Sequence, residues 1–424
     1  MKVLMFGWEF PPHIAGGLGT ACYGMVKGLA KHDVDVLFVM PSASGDEDQS
    51  FVKIINASDV EASSSVYDSR LFSNRVQFLR VGSNIIPYMT PEQFAEVIED
   101  RQTRVEESRV DFKQKFKFSG KYGANLMEEV VRYAMVGGTI ASQNDFDVIH
   151  AHDWLTYLAG IAAKRMTGKP LVIHVHATEY DRSGENVNTQ VHALEKLGMQ
   201  EADRVITVSN LTRNIVINKY GIDPSKVVTV HNAVDFQGHN RMDVTRGVPE
   251  KVVTFLGRIT FQKGPEYFIE AANKVLKRCP NVRFVMAGSG DLLNRSIRRV
   301  AKLGIADRFH FTGFLRGADV QRMFCYSDVY VMPSVSEPFG ISPLEAMRAE
   351  VPTIISKQSG VAEVLKHAIK VDFWDIDAMA DAMYALLNYP ALPEMAVRCG
   401  LDEVNSLKWE NAALKMKEVY SSTL

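Results

Sequence analysis

The sequence predicts an α/β protein with two doubly wound, parallel-sheet domains facing a cleft. Three observations lead there. Apolar runs of strand length alternate with amphipathic helical patterns along almost all of the 424 residues. Such alternation implies parallel sheets covered on both faces. A polar stretch without periodicity, residues 235–250, separates two such series and reads as a linker. A chain of this length also exceeds what one core usually serves, so two domains of about 200 residues are the natural division.

Each element follows from its own pattern. The run 3–6 (Val-Leu-Met-Phe) is the first strand. A helix over about 20–31 follows, with Ala21, Cys22, Met25, Val26 and Leu29 on one face. Strands are predicted at 34–40, 148–151, 171–175 and 204–208, with 227–230 closing the first series. The second series has strands at 252–256, 282–287, 308–312, 329–332 and 352–355. The expected organisation is a first domain over 1–235, a second over 250–405, and a closing segment over 406–424. Residues 90–121 interrupt the first domain. They are charge-rich and read as a helical insertion.

Composition narrows the class of function. The chain is 46% hydrophobic and 23% charged, with net charge −2. It has no global basic footprint, so nucleic acid is not an expected partner. No apolar run reaches the length of about 18 residues that spans a bilayer. The four cysteines (Cys22, Cys279, Cys325, Cys399) form no Cys-x-x-Cys pair and read as reduced thiols of a cytoplasmic protein. The initial apolar run is too short for a signal peptide and reads as a strand. Oligomeric state is left open.

The chemistry-bearing motifs lie where strands end. Ser336-Glu-Pro-Phe-Gly-Ile-Ser-Pro-Leu-Glu-Ala-Met347 follows a strand and opens a helix near Ile341. It puts Glu337 on a loop lip and Glu345 in the first helical turns, outside the carboxyl end of a strand, where open α/β sheets bind ligands. The amides of Gly340, Ile341 and Ser342 can hold an anion there. His13-Ile-Ala-Gly-Gly-Leu-Gly-Thr20 also joins a strand to a helix, and its glycines permit close backbone approach. It lacks the dinucleotide and Walker patterns, so a tight connection is the competing reading. Arg258 and Lys263 sit beside glycines at a strand-to-helix crossover and can converge on a diphosphate. His150-Ala-His-Asp-Trp154 and His174-Val-His176 each place two histidines on one face of a strand. No third ligand has zinc-like spacing in sequence. With no D-x-D at a second-domain strand end either, no obligatory metal or cofactor is expected. His152 is the better functional candidate of these, and Trp154 can stack on a sugar or pack in the core.

Taken in order, these motifs resemble the retaining GT-B glycosyltransferases of family 4 and the glycogen and starch synthase group. The likeness spans nearly the whole chain. It rests on Gly16-Gly17-Leu18, His152-Asp-Trp154, Val230-His-Asn-Ala-Val-Asp235, Gly257-Arg258 with Lys263-Gly264, the two glutamates, and the closing Leu407-Lys-Trp-Glu410 to Tyr420. The resemblance implies glucose transfer from a UDP- or ADP-glucose donor to an α-1,4-glucan or related oligosaccharide acceptor. Catalytic roles fall to His152, Arg258, Lys263 and Glu337. Donor contacts fall to Gly16, Gly17, Asn232, Phe314, Leu315, Phe339, Gly340, Ile341 and Glu345. Glu9, Trp154 and Glu179 are acceptor candidates, and the closing segment over 406–424 would be a helix that returns to the first domain. One departure stands out. Bacterial glycogen synthases carry lysine where this chain has Ile14, which weakens an assignment to their ADP-glucose class, whereas His174–Arg182 resembles the glucan-making branch of family 4. The alternatives are another hexose with a different glycan or lipid acceptor, a GT-B nucleotide-sugar epimerase, and a non-catalytic glucan-binding module.

Overall fold

The computed structural model describes residues 1–14, 17–63, 113–120, 125–234 and 247–424. The predicted insertion over 90–121 falls largely outside these residues, as do Gly16 and most of the polar stretch after Val234.

Strands in the first half are β1 (Lys2–Phe6), β2 (Asp35–Met40), β3 (Lys53–Asn56), β4 (Glu61–Ser63), β5 (Lys113–Lys115), β6 (Val148–His152), β7 (Leu171–Val175), β8 (Arg204–Thr207) and β9 (Val227–Thr229). Seven of them form one sheet in the order β3-β2-β1-β6-β7-β8-β9, every pairing parallel. β4 and β5 form a separate antiparallel pair. The second half supplies β10 (Lys251–Leu256), β11 (Val282–Ala287), β12 (Phe309–Gly313), β13 (Val329–Met332), β14 (Thr353–Ser356) and β15 (Ile369–Val371). They make a parallel sheet in the order β12-β11-β10-β13-β14-β15.

The central strands are buried on both faces, which is why they read as continuous apolar runs. Four strands escape the sequence pattern: the pair β4 and β5, the latter in the segment 90–121 expected to be helical, and two at the sheet edges. β3 and β15 are edge strands of four and three residues, and a short, half-covered edge carries little apolar periodicity. The first helix begins at Gly17 rather than near Thr20, because its glycine-rich first turn has no apolar stripe to betray it.

The strand order reverses between β1 and β6, and again between β10 and β13. At these switch points the loops after adjacent strands diverge and leave a crevice. The glycine turn follows β1, the Arg258–Lys263 loop follows β10, and the Glu337 loop follows β13.

The final helix, Trp409–Ser421, packs on the first sheet's side of the molecule. Its Trp409 ring lies over Gly24 of the helix Gly17–Ala30, where an added Cβ would come 2.2 Å from the indole nitrogen. A Cβ on Gly28 would meet the Trp409 carbonyl at 2.7 Å. Lys31 pairs with Glu410, and the Lys417 ammonium donates to the His32 carbonyl at 2.6 Å. Deeper in, the Tyr420 hydroxyl meets His150 Nδ1 at 2.7 Å.

Candidate active site

Glycines set the backbone on the second-domain side. Gly264 has φ +65°, and a Cβ there would lie 2.2 Å from the Pro333 carbonyl. Only glycine fits that left-handed turn without strain. It closes the short helix Phe261–Lys263 and starts the helix Pro265–Arg278. Lys263 thereby lies over Gly257, with its Cγ 3.7 Å from where a Gly257 Cβ would be. The Lys263 ammonium pairs with Glu337 Oε2 across the crevice between the β10 and β13 loops. The Ser334 hydroxyl donates to the same oxygen at 3.1 Å. Arg258 is exposed, and its guanidinium donates to Gln262 Oε1 at 2.9 Å. Two cations and one carboxylate therefore share the lip of this loop.

Glu337 is buried, and its segment is fixed by backbone bonds: its N–H donates to the Gln358 carbonyl and its carbonyl accepts from Gly360, both at 2.9 Å. Gly340 adopts φ +101°, a further turn that requires glycine. The helix Ser342–Arg348 starts directly after Ile341. Tyr330 stands beneath this window. Burial raises its pKa, and the nearby Glu337 and Glu345 charges raise it further, so both carboxylates bear on one point. Its hydroxyl donates to Ser342 Oγ at 2.8 Å. Phe339 is buried in the core beside Leu344, whereas Phe314 is half exposed with the Arg316 guanidinium 5.1 Å from its ring centre. Leu315 packs against that same core.

The first domain reaches this window directly. Gly17 is exposed at the start of its helix, and a Cβ on it would lie 4.0 Å from the Ile341 side chain. Ser336 donates its hydroxyl to Asp181 Oδ1 at 2.6 Å. The other oxygen of Asp181 accepts from the Thr178 amide and hydroxyl, both at 2.7 Å, as part of the capping box that begins the helix Glu179–Ser183. One carboxylate thus serves a helix cap and an inter-domain contact. Glu363 makes another such contact: it accepts from the amides of Asn210 and Leu211 at 2.9 and 2.7 Å, capping the helix Asn210–Tyr220 from the other domain, and pairs with His231 at 2.7 Å.

The histidines form a stack. Register pairs His152 with His174 across β6 and β7, and rings of His150, His152, His174 and His176 stand 4.2 to 5.3 Å apart, neighbour to neighbour. His152 is fully buried and its Nδ1 lies 2.9 Å from His176 Nε2; His176 is the partly exposed member. Burial and neighbouring imidazoles push His150 down to about 3, burial does the same to His176, and His152 and His174 also fall well below the ordinary value. All four rings are neutral at physiological pH. Asp153 follows at φ +56°, strained for a residue with a side chain. Its carboxylate accepts from the amides of His176 and Ala177 at 2.7 and 3.3 Å, tying the ends of β6 and β7 together. Burial lifts it to about 6, against Arg182 and those amides.

The acceptor candidates stand differently. Glu9 is buried, and its Oε1 accepts from the Gly19 amide at 3.1 Å, bracing the glycine turn. Trp154 opens the helix Trp154–Thr167 and packs partly against the first core. Glu179 is buried with both oxygens engaged within its own segment, by Ser183 at 2.7 Å, Asn188 at 3.2 Å and Arg182 at 3.1 Å. Asn232 is buried shortly after β9. Sequence reading missed Asp153, Asp181 and Ser336. The Thr178-x-x-Asp181 spacing signals a cap, but nothing in it announces a partner 155 residues away.

The chain matches the starch synthase catalytic domain over residues 2–225 and the glycosyl transferases group 1 over 239–400. It belongs to the starch synthase catalytic-domain family of glycosyltransferases. An uncharacterized glycosyltransferase of Methanocaldococcus jannaschii is 29% identical over 99% of this chain and 98% of its own length. Glycogen synthase of Mycobacterium tuberculosis is 25% identical over 99% and 94%. Among solved structures, Anabaena HepE in complex with UDP and glucose superposes with a TM-score of 0.68 at 17% identity, covering all of both chains. The fold of this glycosyltransferase is GT-B, with two Rossmann-like domains about the crevice. No described helix is long and apolar enough to cross a membrane.

Proposed function

We propose that this glycosyltransferase moves glucose, with retention, from a nucleotide-glucose to an α-1,4-glucan or related oligosaccharide. The carrying observation is the Lys263–Glu337 pair on the crevice lip, facing the exposed Gly17 turn of the first domain. Sugar hydroxyls need acceptors and a diphosphate needs donors; this arrangement offers both within one side-chain length. The glycogen synthase likeness over nearly the whole chain supports a glucan product, and the UDP and glucose held by Anabaena HepE support a nucleotide-glucose donor.

In this reading Arg258, Lys263 and the Gly17 amide neutralise the departing diphosphate, so the transfer step itself calls for no metal. Glu337 releases Lys263 to phosphate and holds sugar hydroxyls, with the backbone of Phe339, Gly340 and Ile341 beside it. Glu345 takes the ribose, and Phe314 and Leu315 border the base. The sugar contact expected of His152 passes to His176, because His152 is fully buried behind it, and Asn232 lies near. The bond from the anomeric carbon to the diphosphate breaks. An acceptor hydroxyl attacks the same face and passes its proton to the leaving phosphate oxygen. No carboxylate stands out for a double inversion, so charge stabilisation of the leaving group supplies most of the rate. Domain closure around the donor keeps water out. The cytoplasm, where nucleotide-sugars are made, is the fitting compartment.

A nucleotide-release screen tests this. UDP-glucose, ADP-glucose and GDP-mannose are each supplied with and without maltooligosaccharide. Release from a glucose donor that depends on the glucan is the expected outcome. Preference for the mannose donor, or isomerisation of the donor alone, overturns it.

A further inference from the structure

We propose that His150, His152 and His174 form a buried site for a divalent transition-metal ion, zinc being the fitting occupant. Their ligand nitrogens all lie within 4.8 Å of one another. The three side chains are 0%, 0% and 1% exposed. Four of their nitrogens, His150 Nε2, His152 Nε2 and both of His174, have no hydrogen-bond partner among the described residues. Buried polar atoms are ordinarily satisfied, and a cluster of orphans gathered this closely marks the place of something that binds them.

The surroundings select the nature of the occupant. A proton donated from His150 Nδ1 to the Tyr420 hydroxyl leaves the Nε2 lone pair free, as does one donated from His152 Nδ1 to His176 Nε2. Partners on the far nitrogen of this kind fix the tautomer that a metal-ligating imidazole needs. His174 has a lone pair to offer whichever nitrogen carries its proton. Three neutral imidazoles suit zinc and its transition-metal neighbours and do not suit calcium or magnesium, which take oxygen. Three histidines leave a fourth tetrahedral position open. The charge has counterparts close by: Glu9 and Asp153 both bear electrostatically on Cys22, whose sulfur lies within 4.8 Å of the His152 and His176 ligand atoms. A water molecule in the cluster is the competing occupant.

The site joins β6, β7 and the C-terminal helix, through Tyr420, and meets His176 through His152. Its role is to stiffen the first domain beneath the cleft. It touches the donor reading through His152, which backs His176, but metal retention and nucleotide release are measured apart, so either can fail without the other.

The full-length protein is stripped with chelator, incubated with zinc chloride, freed of excess metal and analysed for metal content. The wild type is expected to retain zinc at one ion per chain and to melt several degrees higher than the stripped form, since a ligand that binds only the folded state stabilises it. His150→Gln and His174→Gln are expected to lose both effects while keeping the circular dichroism of a folded protein. X-ray absorption of the wild-type zinc form is expected to show histidine nitrogens at about 2.0–2.1 Å; it decides the question even if a variant fails to fold. A folded wild type that retains no zinc overturns the proposal and leaves water as the occupant. Zinc retained equally by both folded variants, or an absorption spectrum without histidine scattering, also overturns it.

Discussion

At the scale of single residues, the candidate site depends on a few cations and on glycines no other residue can replace. The Lys263 side chain keeps 20% exposure, and without it Glu337 still accepts from the Ser334 hydroxyl. Lys263→Ala is expected to lower turnover by about 10²–10³, the usual cost of one charge-stabilising group. The melting temperature should change by no more than a few degrees. Near-full transferase activity in this variant would show that the diphosphate contact is misassigned. Gly264→Ala is expected to behave in the opposite way. The left-handed backbone costs about 1–2 kcal/mol for a residue with a Cβ, and the contact with the Pro333 carbonyl adds to it. Chemical denaturation should register the loss, and activity should fall with it because Lys263 sits on that turn. Most of these residues were legible in sequence, since a glycine or cation at a strand-to-helix junction is a local signal. The pairing of Lys263 with Glu337 was not, because the two lie 74 residues apart and meet only where β10 and β13 become neighbours. Glu179, expected at the acceptor, has its carboxylate taken up by Arg182, Ser183 and Asn188, which no spacing rule revealed.

Among elements, the C-terminal helix has the largest consequence for its size. Trp409 lies 6% exposed over glycines of the helix Gly17–Ala30, whose first residue is Gly17 itself. Trp409→Ala is expected to cost about 3–5 kcal/mol, the range for removing a large buried aromatic, measured by urea denaturation of the full chain. It should also weaken donor binding, because the helix it supports carries the glycine turn. A cost below 1 kcal/mol would mean that the helix merely rests on the surface. The helix and its return to the first domain were expected from the family resemblance. Its destination could not be derived from apolar spacing, since an amphipathic stripe says that a partner exists and not which one.

For the whole molecule, two couplings stand out. Glu363 of the second domain caps the helix Asn210–Tyr220 of the first and pairs with His231. Glu363→Ala should loosen the domains, seen as a larger radius of gyration in X-ray scattering without donor; an unchanged value would assign their arrangement to other contacts. The second coupling is to pH. His150, His152, His174 and His176 are all held below their unfolded values, so the stability they contribute is present above about pH 6.5 and is lost as pH falls through that value. Asp153 at about 6 and Glu195 at about 7, both raised by burial, act the other way: their contribution is present at low pH and is lost as pH rises through those values. Asp181 and Glu345 are raised by burial too, but carboxylates held low by their partners, Glu179 and Glu363 among them, side with the histidines, so the melting temperature of the metal-free protein should drop between about pH 6.5 and pH 4. The drop should be smaller in His174→Gln. A flat profile would place the histidines in contact with solvent.

Local sequence pattern suffices for the two βα series, the switch-point loops and the residue types that line them. These follow from periodicity, run length and glycine placement, all of which act over a few residues. Tertiary structure alone decided which side chains meet. It joined Asp181 to Ser336 across the crevice and set Lys263 against Glu337. It also brought two His-x-His pairs, each without a third ligand in its own sequence neighbourhood, into one buried cluster. Contacts of this kind depend on strand order and register. Those are global properties, set by how all the apolar faces are covered at once and not by any one segment.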